Sequence, residues 1–483
     1  MVPGLRRASG AERGRLARLA PGRPAPASES TAHPIPKTGH DREVLISLFA
    51  AAAMSQGHET PKPTARQLAW HEMEYYAFCH FGPNTFTDKE WGEGKEDPKV
   101  FHPTALDCRQ WARAFKAAGM KGIVITAKHH DGFCLWPSKL STHTVAQSGW
   151  KNGKGDVLRE LSEACKAEGL KLGVYLSPWD RNHPTYGTDE YNKVFAGMLD
   201  EVLTQYGPIF EVWFDGACGE GPNGKRQVYD WDLFVSTVRK HQPQAVIFSD
   251  AGPDIRWVGN EAGFAGETNW NTMDRSKVAI GAADTKYLNL GDPNGPDYVP
   301  AECDVSIRPG WFYHAAEDGK VKSLDKLLEI WHGSVGRGSN LLLNVPPDRR
   351  GLIHENDAAA LLALRKRLDE IYAKDLVRSW KQSPSGESAV TVDVELAGRT
   401  AVDRVVLGED LSQGQSVSEF TVFAYLESER RGAWSPVAEG TTVGRKRIVV
   451  FVPVTTRRLS VVLMKPAGRS LKVAGVQAFG PGN

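Results

Sequence analysis

A chain of 483 residues is longer than one ordinary domain, so two or three domains are expected. Its formal net charge of +1 excludes the basic field of a nucleic-acid or anionic-membrane binder, and no apolar run approaches the ~20 residues that span a bilayer. Six cysteines without a CxxC pair argue against a zinc module and a disulfide scaffold, while 14 tryptophans, many beside charged or glycine residues, suit stacking on sugar rings.

Residues 1–40 are rich in Arg, Ala and Pro and read as a disordered leader. Within "REVLISLFAAAAMSQGHE" (42–59), a basic flank, a short apolar core and small residues suggest a signal peptide over about 43–55. A leader over 1–60 and a secreted or periplasmic location are therefore expected.

From there strand-like and helix-like segments alternate. "EYYAFCHFG" (74–82) predicts a strand and "CRQWARAFKAAG" (108–119) a helix. "KGIVITAKHHDG" (121–132), "KLGVYLSPWD" (171–180), "FEVWFDG" (210–216) and "AVIFSDAG" (245–252) predict further strands. Helices are predicted between them over 155–169, 189–207 and 231–242. A helix over 323–336 and a strand over 339–347 close the series, and 253–320 is less regular. Near-continuous apolar strands alternating with helices imply parallel βαβ units buried on both faces. At least six units favour a (β/α)8-like, irregular barrel, assigned to 61–375, over an open sheet. After that, short alternating β-branched segments such as "EFTVFAYLE" and "RRLSVVLM" predict an all-β sandwich over 376–483.

Catalytic groups of such a barrel lie at the C-terminal ends of its strands. Those ends carry His80, then His129, His130 and Asp131, then Ser177, Trp179 and Asp180, then Asp215, with Asp250 and Asn344 later. With Trp91, Trp136, Trp179 and Trp213 they compose a rim suited to carbohydrate. Asp180 and Asp250 read equally as helix caps. His129 and His130 invite a metal reading, but neighbours on a strand point to opposite faces, so no metal site is assigned. Asp215 ends its strand beside Trp213 with no apolar helix within capping reach. Glycoside hydrolysis needs a second carboxylate, and Glu220, Glu261, Glu267 and Glu302 are candidates. Glu302 lies near Arg308 in sequence, and an ion pair there would keep it ionised, against the raised pKa a general acid needs. Glu261, in a Gly- and Asn-rich loop, has Arg256 nearby, so the choice between them stays open.

The motifs "HFGPNTFTDKEWG" (80–92), "AKHHDGFCLWPS" (127–138), "GVYLSPWDRNHP" (173–184), "EVWFDGA" (211–217), "RWVGNEAG" (256–263), "DVSIRPGWFYH" (304–314) and "SVGRGSNLLLNVPPDRRGLI" (334–353) together resemble the glycoside hydrolase family 29 α-L-fucosidases. The resemblance implies a retaining double displacement on a terminal α-L-fucose, with no cofactor. It implies Asp215 as nucleophile and Glu261 as acid/base; from the residues, Glu302 stays the runner-up. Fucose-binding positions fall on His80, Glu90, Trp91, His129, His130, Tyr175, Trp179 and Trp311, to which the rim adds Trp213. The "TFTDKEWG" and "RWVGNEAG" versions resemble the α-1,3/1,4-fucosidase branch. The partner so implied is a fucosylated glycan; a broad-specificity fucosidase and a fucose-binding protein without catalysis are the alternatives.

Overall fold

The computed structural model describes residues 60–282, 284–427 and 432–481. Residues 1–59 of the expected leader, including the apolar stretch 43–55, lie outside the described residues.

Eight parallel strands close into a barrel in chain order. They are β1 Tyr75–Cys79, β2 Gly122–Lys128, β3 Lys171–Leu176, β4 Ile209–Trp213, β5 Val246–Ser249, β6 Ile255–Trp257, β7 Ala301–Ser306 and β8 Asn340–Asn344. Alternation divides the side chains of each strand between two cores. In β1, Tyr76 and Phe78 point into the barrel, whereas Tyr75, Ala77 and Cys79 join the layer beneath the helices. With both faces buried, the strands read as unbroken apolar runs. The irregular stretch 253–320 supplies the short β6 and β7, a helix Thr285–Leu290, and a two-residue antiparallel ladder of Thr272–Met273 with Asp297–Tyr298.

The surrounding helices start where a side chain can satisfy their free amides. Asp107 accepts from Arg109 and Gln110 N–H before Cys108–Ala117. Asp156 accepts from Arg159 N–H before Val157–Glu168, and Asp230 from Leu233 N–H before Trp231–His241. These carboxylates lie where strand-to-helix loops end, at the opposite end of each loop from the strand-end groups.

One irregularity bears on the site. Between Leu172↔Ile209 and Val174↔Val212 the β3–β4 register shifts, so Phe210 and Glu211 together face Gly173. The bulge turns the Glu211 carboxylate into the barrel, where it is wholly buried.

The last barrel helix, Glu355–Ile371, is followed by β9 Val377–Pro384, β10 Ala389–Glu409, β11 Glu419–Glu427, β12 Gly432–Gly440, β13 Arg447–Met464 and β14 Val473–Phe479. These form a six-stranded sheet that is antiparallel throughout. β10 and β13 pair along most of their length, with register shifts at Glu395/Thr400 and Val402/Arg404. On one side of the shifts β9 and β11 flank the pair, and on the other β14 does. Val392, Val394, Val405, Val461 and Val476 from both halves share one core. The sandwich is thus a single sheet folded over at its long strands. Among the described residues no helix is long and apolar enough to cross a membrane.

Candidate active site

The register of β3, β4 and β5 puts Tyr175 beside Trp213 and Trp213 beside Phe248. Their rings stack inside the barrel, at centroid distances of 5.3 Å and 3.9 Å. The Trp213 indole N–H turns inward and donates to Glu302 Oε1 at 2.9 Å. Two residues beyond, past the end of β4, Asp215 emerges at the mouth, half-buried. Its Oδ1 accepts the Ala217 N–H at 2.7 Å and its Oδ2 the Tyr175 hydroxyl at 2.9 Å. The turn needs Gly216, because a Cβ there would stand 2.6 Å from Asp250 Oδ2. Asp250 itself accepts the Gly281 N–H at 2.6 Å, and burial pushes its carboxyl above the ordinary value. It closes a loop and caps no helix.

His129 and His130 lie just beyond β2, so the alternation expected of a strand does not apply to them. Their rings face the same space, 4.2 Å apart. The Ser177 hydroxyl donates to Trp179 O, so the 2.7 Å contact with His130 must be donated by the His130 Nδ1–H. That leaves the His130 Nε2 lone pair facing Asp215 Oδ2 at 3.7 Å. His80 is fixed alike, its Nδ1 2.9 Å from Asn344 Oδ1. Burial lowers His80 to about 3 and His130 to about 4, and holds His129 well below its ordinary value. All three are neutral imidazoles, able to accept from or donate to hydroxyls. Trp91, 56% exposed, stands edge-on to Trp179 at 5.5 Å and to His130 at 5.4 Å. Trp136 is not on the rim: it is buried under the helix Asp189–Gln205 and donates to Glu201.

The second carboxylate can be assigned from burial. Glu302 is 0% exposed, deep in the barrel, where Tyr76 and Trp213 donate to it. Arg308, expected to pair with it, pairs instead with Asp357 and Asp318. Burial raises the Glu302 carboxyl, and burial together with repulsion from Glu302 raises that of the neighbouring Glu211. Glu302 is sealed from substrate. Glu261 is exposed, and its Oε2 accepts the Trp311 indole N–H at 3.2 Å. Arg256 is no partner of Glu261; it is buried and bonds the carbonyls of Leu288, Val299 and Trp270. A line of rings joins the two mouth carboxylates. Trp311 packs 5.1 Å from His80, and His80 6.1 Å from Tyr175, which holds Asp215.

The remaining candidates have other partners. Glu90 is turned to the β7 loop, where it accepts the Trp311 and Phe312 N–H groups at 2.7 and 3.1 Å. Asp180 is buried against Lys128 and accepts the Asn182 and His183 amides. Asp131 accepts from Phe133 N–H, and burial raises it to about 7. Glu267 pairs with Arg337 and Arg447, toward the β-sheet domain, and Glu220 lies exposed in the β4 loop. Sequence reasoning missed His314, although it stands in the quoted 304–314 motif, and the structural parts of Ser177 and Asn344.

A sequence model of the α-L-fucosidase family matches residues 50–370. The chain belongs to the α-L-fucosidase family. It is 42% identical over 437 residues to α-L-fucosidase 1 of Arabidopsis thaliana, covering 84% of this chain and 85% of that one. A solved glycoside hydrolase 29 family member from an unknown rumen bacterium superposes with a TM-score of 0.81 at 42% identity, covering 88% and 78% of the two chains. A Ruminococcus gnavus fucosidase of the same family, solved with fucose, gives 0.79 at 26% identity, covering 89% and 97%. The fold is therefore that of family members, and the enzyme is a glycoside hydrolase of the α-L-fucosidase type.

Proposed function

We propose that this fucosidase is a retaining exo-enzyme removing terminal α-1,3/1,4-linked L-fucose from branched glycans, with Asp215 as nucleophile and Glu261 as acid/base. The carrying observation is the contrast among the carboxylates. Asp215 is oriented at the mouth by Tyr175 and the Ala217 amide, Glu261 is exposed and held by one indole, and Glu302 is sealed in the barrel. An Asp215 oxygen attacks the fucose C1 while the C1–O bond to the leaving sugar breaks and Glu261 protonates the departing oxygen. Glu261, now a carboxylate, takes a proton from water, whose oxygen attacks C1 and frees Asp215. The neutral imidazoles of His80, His129 and His130 suit the fucose hydroxyls, with Trp91 and Trp179 beside them as apolar faces.

The experiment is release of fucose from a Lewis-type trisaccharide by wild type, Asp215→Ala and Glu261→Ala. Asp215→Ala should be inactive, and Glu261→Ala should regain turnover with azide on an aryl fucoside. Equal activity of wild type and Asp215→Ala would remove the nucleophile, and azide rescue of Glu302→Ala instead would move the acid/base. Comparing α-1,2, α-1,3, α-1,4 and α-1,6 fucosides tests linkage. A secreted or periplasmic location is supported only by the apolar stretch within 43–55, and the N-terminus of the mature protein tests it.

A further inference from the structure

Two loops of the barrel mouth are fastened by an arrangement the proposed mechanism does not use. In the loop after β1, Asp88 and Glu90 face the β7 loop, and His314 stands between them. His314 Nδ1 lies 2.9 Å from Asp88 Oδ1 and its Nε2 lies 2.6 Å from Glu90 Oε1. A neutral imidazole has one N–H and would set its remaining lone pair against a carboxylate; only the imidazolium satisfies both contacts. Glu90 in turn holds the backbone amides of Trp311 and Phe312, and Asn344 donates to Trp311 O at 2.8 Å. The Trp311 backbone is thus fixed at both its N–H and its carbonyl, and its indole reaches Glu261. Gly310 makes room for this, since a Cβ there would meet Glu90 Oε1 at 2.7 Å.

We infer that His314 is a positioning residue: as an imidazolium it cross-braces Asp88 and Glu90, and through Glu90 and Trp311 it holds Glu261 in place for proton transfer. The inference rests on the acid/base role proposed for Glu261. The charged groups around His314 favour its protonation. Asp88 and Glu90 face it from the β1 loop, and Glu317 of its own loop holds the Gly310 amide at 3.0 Å. Arg349 opposes them, but only from beyond Asp88, at 3.5 Å. Burial works against the charge, and the bonds to Asp88 and Glu90 outweigh it, raising the imidazole above its ordinary value. Below the raised His314 pKa the brace is in place; above it the imidazole turns neutral, the brace opens and Trp311 loses its hold on Glu261.

The test separates this role from a general structural one by leaving group. A positioned general acid contributes about 10²–10⁴-fold when the leaving group is poor and little when it is activated. His314→Gln should therefore lose roughly tenfold or more in kcat on a Lewis-type trisaccharide and less than about threefold on a dinitrophenyl α-L-fucoside, at neutral pH. Asp88→Asn, at a side chain 57% exposed, leaves the fold alone and should move the alkaline limb of the trisaccharide pH profile to lower pH. Equal losses on both substrates with His314→Gln, or no loss and an unmoved limb with Asp88→Asn, would overturn the inference. Glu261→Ala is run alongside. If it shows no dependence on leaving group, the acid/base assignment itself is wrong and the brace falls with it; if it does and His314→Gln does not, only the brace fails.

Discussion

The Tyr175 hydroxyl donates to Asp215 Oδ2 at 2.9 Å, from a ring that stacks on Trp213. The bond fixes the carboxylate while the stack fixes the phenol, so Asp215 is oriented from inside the barrel. Tyr175→Phe keeps the stack and removes the donor. A hydrogen bond to a charged group is worth about 1.5–3 kcal/mol, so kcat/KM for fucoside hydrolysis should fall roughly 10- to 100-fold. Wild-type kinetics in this variant would show that the Asp215 orientation is set elsewhere.

The buried Glu302 is raised from 4.5 to about 7, so the folded protein holds a proton there that the unfolded chain releases. This contribution to stability is full below about 4.5 and is lost as pH climbs to about 7. Glu302→Gln removes the titration. Its thermal midpoint should therefore fall less than that of wild type between pH 5 and pH 8. Parallel curves for the two proteins would contradict the assignment.

Lys128 and Asp180 form an ion pair at 3.2 Å with both side chains sealed from solvent. Burial works against the Asp180 charge, but Lys128 and the His183 and Asn182 amides hold its carboxyl below the ordinary value. Its stabilisation is present above the unfolded aspartate pKa and is lost as pH falls from there through the lower folded value. Lys128→Met strands the carboxylate and should cost about 3–5 kcal/mol at neutral pH. Denaturant titration at pH 7 measures this, and a change under about 1 kcal/mol would mean that Asp180 takes up a proton at little cost.

Gln415, in the β-sheet domain, accepts the Asn271 N–H at 2.7 Å and donates to Asn269 O at 3.1 Å, all of it buried. Gln415→Ala leaves both barrel groups without partners and should cost about 1–3 kcal/mol for each buried group so stranded. Calorimetry should show a lowered thermal midpoint. Two separate transitions in wild type would argue instead that barrel and sheet unfold independently.

The barrel was legible because strands covered on both faces leave unbroken apolar runs, and Asp215 because a carboxylate at the end of such a run stands out. β6 was not, because Ile255–Trp257 is too short to show a period. Glu211 was hidden because a bulge in β4, invisible in the letters, turns it inward. Alternation misled at His129 and His130 because β2 ends at Lys128. The residues around Glu302 and Glu261 left the choice open; burial separates them, and it depends on Glu302 facing Tyr76 and Trp213 inside the barrel. Arg308, near Glu302 in sequence, finds its partners in Asp318 of its own loop and in Asp357 of the helix Glu355–Ile371.

Residues 267–271, just downstream of the Glu261 loop, are gripped from the β-sheet domain. Arg447 holds Glu267, Thr442 accepts the Asn269 N–H at 2.8 Å, and Gln415 bonds on either side of Trp270. A graft exchanging this β domain for that of a relative would have to carry the matching 267–271 segment with it. Otherwise the new junction would disturb the stretch of chain that presents Glu261. In this family member the two halves have to be exchanged together.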